Sequence, residues 1–242
     1  MATVPQAPRV ALLAGATGLV GRELLPLLLG SERYTQVHVL VRGSSRAIET
    51  HPKLQTHGVD FRHLPETLPM VTDAYIALGT TIKAAGSNAA FREVDFDFVL
   101  ATARAAKAAG ARRVTVVSAL GADATSRVFY NRVKGEMQAA VRALDFDSTV
   151  FAQPSLLLGD RAALGQPLRS GEVWATRLLG PVMGFVPKGV RPIQASAVAA
   201  AMFAATLAGS RGVHVLVSAD MQDASRPRTS SGGAASMSRT AG

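Results

Sequence analysis

The stretch Gly15-Ala16-Thr17-Gly18-Leu19-Val20-Gly21 constrains the fold more than any other part of the chain. An apolar run over 10–14 precedes it, and Leu24-Leu25 and Leu27-Leu28 come after it at helical spacing. The pattern predicts a strand, a tight turn and a helix. Gly15 permits a turn that a Cβ would block. Gly18 lets the backbone approach a pyrophosphate, and Gly21 lets the helix pack on the strand. The first amides of that helix have no partner within it, so they and the positive end of the helix dipole face the phosphates. The spacing Gly-x-x-Gly-x-x-Gly is one residue longer at its front than the usual dinucleotide-binding turn. Pro26 removes one hydrogen bond inside the helix and predicts a bend.

Strand and helix patterns alternate along the rest of the chain. They predict an α/β protein, a Rossmann-type doubly wound parallel sheet. Further strands are expected at 37–41, 59–64, 73–78, 113–118, 149–153 and 212–217, and a short helix within 47–58. Longer helices are expected at 88–109, 129–144 and 195–207, the first with Phe91, Val94, Phe98, Ala101 or Thr102, and Ala105 on one face. From 155 to 191 the pattern turns irregular, apart from a helical piece at 172–179, and reads as a small substrate-side region. Trp174, Met183 and Phe185 there either line a pocket or fill core. Residues 221–242 carry almost no large apolar side chains and are expected to be a disordered tail after one domain, 1–220.

Composition narrows the function classes. With 242 residues, 48% of them hydrophobic, the chain can bury one substantial core. No apolar run is long enough to span a bilayer, and no basic-then-apolar leader opens the chain. The absence of cysteine excludes disulfides, thiolate metal sites and a cysteine nucleophile, and fits a cytoplasmic protein. The net charge of +9 comes from 21 arginines and 5 lysines, scattered and not interleaved with aromatics. That reads as a solvated surface, with no nucleic-acid or membrane partner. The histidines at 38, 51, 57, 63 and 214 show no ligand spacing, so no metal is expected.

At the end of the second strand, beside the expected adenosine ribose, stand Arg42 and Gly43, with Arg46 nearby and no acid in the turn. An acid there would bond the 2′-hydroxyl of NAD, whereas a guanidinium matches the 2′-phosphate of NADP. Leu78, Gly79 and Thr80 close the fourth strand and face the same crevice. Tyr130 and Lys134 lie one helical turn apart on one face. A cation beside a phenol favours the phenolate, and such a phenol can give a proton to a carbonyl oxygen or take it from an alcohol. Lys134 also has the reach to touch the nicotinamide ribose, and Ser118 at the end of the fifth strand is placed to bond the substrate oxygen.

Together, the glycine turn, the strand-end Ser118 and Tyr130-x-x-x-Lys134 resemble the short-chain dehydrogenase/reductase superfamily in its extended or atypical branch. The runs Leu78-Gly79-Thr80-Thr81, Val117 through Asp123 and Phe129 through Glu136 are similar to the Tat-interacting-protein-like oxidoreductases, and the resemblance spans about 10–218. It implies that Thr17, Gly18, Leu19, Val20, Arg42, Gly43, Leu78, Gly79, Tyr130, Lys134, Leu157 and Arg169 contact NADPH, with Tyr130 as proton donor and acceptor. In two places the chain departs from the family pattern. Gln153-Pro154 replaces the usual Arg-Pro, and Asp95 stands where many extended members place an asparagine that helps hold a proton-relay water. The resemblance also implies a monomer, or a homodimer joined through helices 88–109 and 129–144.

These readings imply an NADP(H)-dependent oxidoreductase acting on a small carbonyl or alcohol. Two alternatives stay open: an NADPH-binding sensor without turnover, and a sugar-nucleotide epimerase or dehydratase. For the latter, the stretch between Pro154 and the tail is short.

Overall fold

Nearly continuous apolar runs, separated by helices, assemble into a parallel sheet whose inner strands are buried on both faces. The computed structural model describes residues 8–43, 48–158 and 191–224. In chain order the elements are β1 (Arg9–Ala14), α1 (Leu19–Gly30), β2 (Tyr34–Arg42), β3 (Leu54–Val59) and β4 (Asp73–Ile76). Next come α2 (Ile82–Ala85), α3 (Asn88–Arg92), a π-helical turn (Glu93–Phe98) and α4 (Val99–Ala108). The chain continues through β5 (Arg113–Val117), α5 (Phe129–Arg142), β6 (Ser148–Gln153) and the two-residue strands β7 (Leu157–Leu158) and β8 (Ile193–Gln194). The last elements are α6 (Ala195–Ala208), β9 (Gly212–Val217) and α7 (Ser218–Ala224).

Seven strands pair in the order β3-β2-β1-β4-β5-β6-β9, every pair parallel. The chain leaves β1 to build β2 and β3 on one side, then returns to place β4 on the other. That reversal opens a crevice above the carboxyl ends of β1 and β4.

Alternation along β1 divides the core in two. Ala11 and Leu13 face Val20, Leu24 and Leu28 of α1 and Val198 and Met202 of α6. Leu12 and Ala14 face the other layer, with Phe98, Val99 and Ala103 around α4 and Met137 and Val141 of α5. Pro26 does sit inside α1, on its exposed side. Solvent can reach the carbonyl that loses its intrahelical donor.

The third strand lies earlier than the pattern predicts, at Leu54–Val59 instead of 59–64, and no helix is assigned at 48–58. β3 is an edge strand with a half-exposed sequence, so its polar residues hide it. Residues 60–63 form only an isolated bridge, and Phe61 tucks under Phe98 at 5.8 Å between ring centroids. The helix expected over 88–109 is interrupted by the π turn. The extra residue rotates the rest of the helix by about 100°. The buried face therefore moves to Val99, Leu100, Thr102, Ala103 and Ala106, while Ala101 and Ala105 are only half-buried. At the carboxyl end, Met221 is fully buried and α7 runs to Ala224, past the expected start of the tail at 221. The helical piece at 172–179 and residues 225–242 lie outside the described residues.

Candidate functional site

The glycine turn sits at the mouth of the crevice. Gly15 has φ +90°, and a Cβ there would fall 2.5 Å from the Ala77 carbonyl oxygen at the end of β4. At Gly21 a Cβ would fall 2.0 Å from the Gly15 carbonyl oxygen, so α1 packs directly on the turn. Packing inside the protein therefore demands both glycines. At Gly18 the fit is less severe, since a Cβ there would come 3.3 Å from the Gly15 carbonyl oxygen, tight but without overlap.

Gly18 is also the N-cap of α1 and offers no side chain to the first amides of the helix. Those amides, with exposed Thr17 and half-buried Leu19, form a cradle that suits a pyrophosphate. Val20 contributes only backbone, since its side chain is in the core. Arg42 is exposed at the end of β2 and makes no ion pair among the described residues. Gly43 turns the chain there with φ +63°. Arg46, Arg169, Trp174, Met183 and Phe185 lie outside the described residues, and Leu157 is half-buried in β7.

Across the crevice, Lys134 of α5 is buried at 3% exposure and makes an ion pair with Asp95, itself 1% exposed, at 2.7 Å. The ammonium also donates to the Val117 carbonyl at 3.5 Å. The second Asp95 carboxylate oxygen accepts the Thr80 amide at 2.8 Å. Asp95 thus ties α5 to the end of β4, and the π turn is the element that aims it inward. Two partners bear on the expected site. The Thr80 amide is used by Asp95, so Thr80 would meet a dinucleotide through its other groups, and the Lys134 charge is matched by a carboxylate. Gly79 keeps this junction narrow, because a Cβ there would come 3.3 Å from Asp95 Oδ1.

Ser118 is 4% exposed and its hydroxyl accepts a bond from Gln138 Nε2 at 2.6 Å. Gln138 lies one turn beyond Lys134, so the two side chains clasp the end of β5 from the same helix. Tyr130 lies one turn before Lys134. Its half-buried ring packs against Phe91, with centroids 5.2 Å apart. The Tyr130 hydroxyl has no hydrogen-bond partner among the described residues. Ser118 and Lys134 therefore meet at one end of β5, with Tyr130 a helical turn before Lys134, and neither Ser118 nor Lys134 bonds the phenol.

Three residues at this site escape a reading of the sequence. Asp95 stands out there only as a replacement for asparagine, and Gln138 carries no local signal. Gly135 carries one, a glycine inside an amphipathic helix. A Cβ there would fall 2.1 Å from the Asp123–Ala124 backbone, so glycine lets that loop lie on α5.

Residues 15–164 match the family model described as NAD(P)H-binding. Protein HTATIP2 of Rattus norvegicus is 35% identical over 172 residues, which covers 69% of this chain and 69% of that protein. Protein FMP52, mitochondrial, of Eremothecium gossypii is 36% identical over 156 residues, covering 62% and 67%. Among solved structures, an oxidoreductase of the short chain dehydrogenase/reductase family from Burkholderia thailandensis superposes with TM-score 0.63 at 16% identity, covering 88% and 92%. MoeE5 in complex with UDP-glucose and NAD gives TM-score 0.63 at 16% identity, covering 85% and 74%. At these identities the two structures establish the Rossmann fold alone. The fungal relatives, named mitochondrial, overturn the cytoplasmic placement. Cysteine usage separates oxidising from reducing compartments and does not distinguish one reducing compartment from another.

Proposed function

Because the chain belongs to the NAD(P)H-binding family, we propose that it is an NADP(H)-dependent oxidoreductase of the short-chain dehydrogenase/reductase type. Its substrate is a small carbonyl compound or the corresponding alcohol. The observation that carries this reading is the Tyr130–Lys134 turn of α5, held by the Asp95 pair across the crevice from the uncapped start of α1.

The α1 amides and Gly18 would hold the pyrophosphate, and Arg42 would take the 2′-phosphate. When bound, NADPH supplies the hydride. Tyr130 would give its phenolic proton to the carbonyl oxygen of the substrate. The phenolate left on Tyr130 would be reprotonated by solvent, and the cofactor would leave as NADP+. Lys134 is fixed in place before any ligand arrives, so its position costs nothing at the moment of reaction.

One observation favours the sensor reading. Asp95 neutralises Lys134, so the phenol has a weaker cationic neighbour than the sequence spacing implies. Replacing Tyr130 by Phe separates the two readings. For an enzyme, turnover on a carbonyl panel falls by about 10²–10⁴-fold while NADPH affinity holds. If no carbonyl or alcohol turns over in the wild-type protein and NADPH still binds, the sensor reading takes its place.

A further inference from the structure

The amino ends of the parallel strands, opposite the glycine turn, gather a second set of charged groups. Arg9 begins β1, Arg113 begins β5 with Arg112 just before it, Asp147 precedes β6, and Gly209 and Arg211 precede β9. With Leu207 and Ala208 they line a cavity of about 310 Å³. Four guanidiniums meet there with one lining carboxylate, Asp147, and with Asp73 behind them.

The existing partners leave much of this donor capacity unspent. Arg9 reaches the Thr206 and Leu207 carbonyls at the end of α6, at 3.3 and 3.4 Å, and stands 3.9 Å from Asp73. Arg113 Nη1 lies 3.2 Å from Asp73 Oδ1, but that buried oxygen accepts no aligned hydrogen bond. Arg112 is engaged with Asp147 at 2.6 and 2.7 Å. Exposed Arg211 makes no ion pair among the described residues. A guanidinium carries more N–H donors than these contacts use, and its planar fork suits an oxyanion. Gly209, in the left-handed region with φ +62°, keeps the wall open, since a Cβ there would come 3.3 Å from Arg113 Nε. Burial raises the Asp73 carboxyl from its ordinary value, despite Arg113, Thr72 and Arg9.

We propose that this basal cavity binds a phosphate-type oxyanion, held chiefly by Arg113 and Arg211 and bordered by Arg112. The site is separate from the dinucleotide crevice and does not depend on the proposed activity. The ligand is either inorganic phosphate or the phosphate of a small ester.

Calorimetric titration of the full chain at low salt with inorganic phosphate, glycerol phosphate and malonate tests it. Wild-type protein and Arg42→Ala should each show saturable phosphate binding. Arg211→Glu, an exposed change in a turn, should weaken it by at least about tenfold while thermal melting stays unchanged. Tighter binding of glycerol phosphate assigns an ester as the ligand, and equal or weaker binding assigns the free ion. The proposal is overturned if wild type shows no saturable phosphate binding or binds malonate as well as phosphate. It is also overturned if Arg211→Glu binds like wild type, or if Arg42→Ala loses as much as Arg211→Glu.

Discussion

The two ends of the sheet each bury an aspartate among cations, and they settle its charge differently. At the carboxyl end both oxygens of Asp95 are used, one by Lys134 at 2.7 Å and one by the Thr80 amide at 2.8 Å. At the amino end Asp73 accepts Thr72 Oγ1 at 2.9 Å, while its other oxygen has a guanidinium nearby without an aligned bond. A satisfied buried pair holds one geometry, and a half-satisfied one leaves donors over. The carboxyl end fixes the Lys134 ammonium in one place. The amino end keeps surplus guanidinium capacity facing a cavity.

The largest expected effect breaks the satisfied pair. Lys134→Met strands the Asp95 carboxylate and should cost about 3–5 kcal/mol in urea denaturation. The double change Asp95→Leu with Lys134→Met should restore most of that stability, because no unpaired charge remains. If Lys134→Met alone melts like wild type, the carboxyl end is no better settled than the amino end.

A smaller effect lies at the sheet edge, away from both ends. His38 Nδ1 and His57 Nε2 are 3.0 Å apart across β2 and β3. Burial, and then the charge of His57, lower the His38 pKa below its usual 6.5. The unfolded chain therefore binds the proton more tightly. Stability should fall as pH drops below about 6.5 toward the lower folded value, and be complete above it. His38→Gln should flatten that slope between pH 7 and 5 in denaturant titrations. An unchanged slope would assign the acid sensitivity to other groups.

Much of the fold was legible because local chemistry dictates it. The glycine turn was readable since Gly15 and Gly21 have no room for a Cβ, and β5, β6 and β9 since parallel strands are apolar throughout or bounded by glycine. β3 was hidden because an edge strand needs little apolar surface. The π turn has no signature in residue type. It shifts the hydrogen-bond register by one residue, and that shift turned the face of α4 and aimed Asp95 inward. The Tyr130–Lys134 spacing was plain. The partners of Lys134 and Ser118 were not, because Asp95 is 39 residues from Lys134 and Gln138 is 20 from Ser118, and each pair meets only in the folded packing.

The most direct measurement is a titration of NADPH and NADH into wild-type protein and Arg42→Ala. If a dinucleotide lies across the carboxyl end with its 2′-phosphate on Arg42, NADPH binds the wild type. The variant then loses about ten- to a hundredfold in NADPH affinity, with NADH scarcely changed. Equal losses for both cofactors, or no binding of NADPH by the wild type, would contradict it.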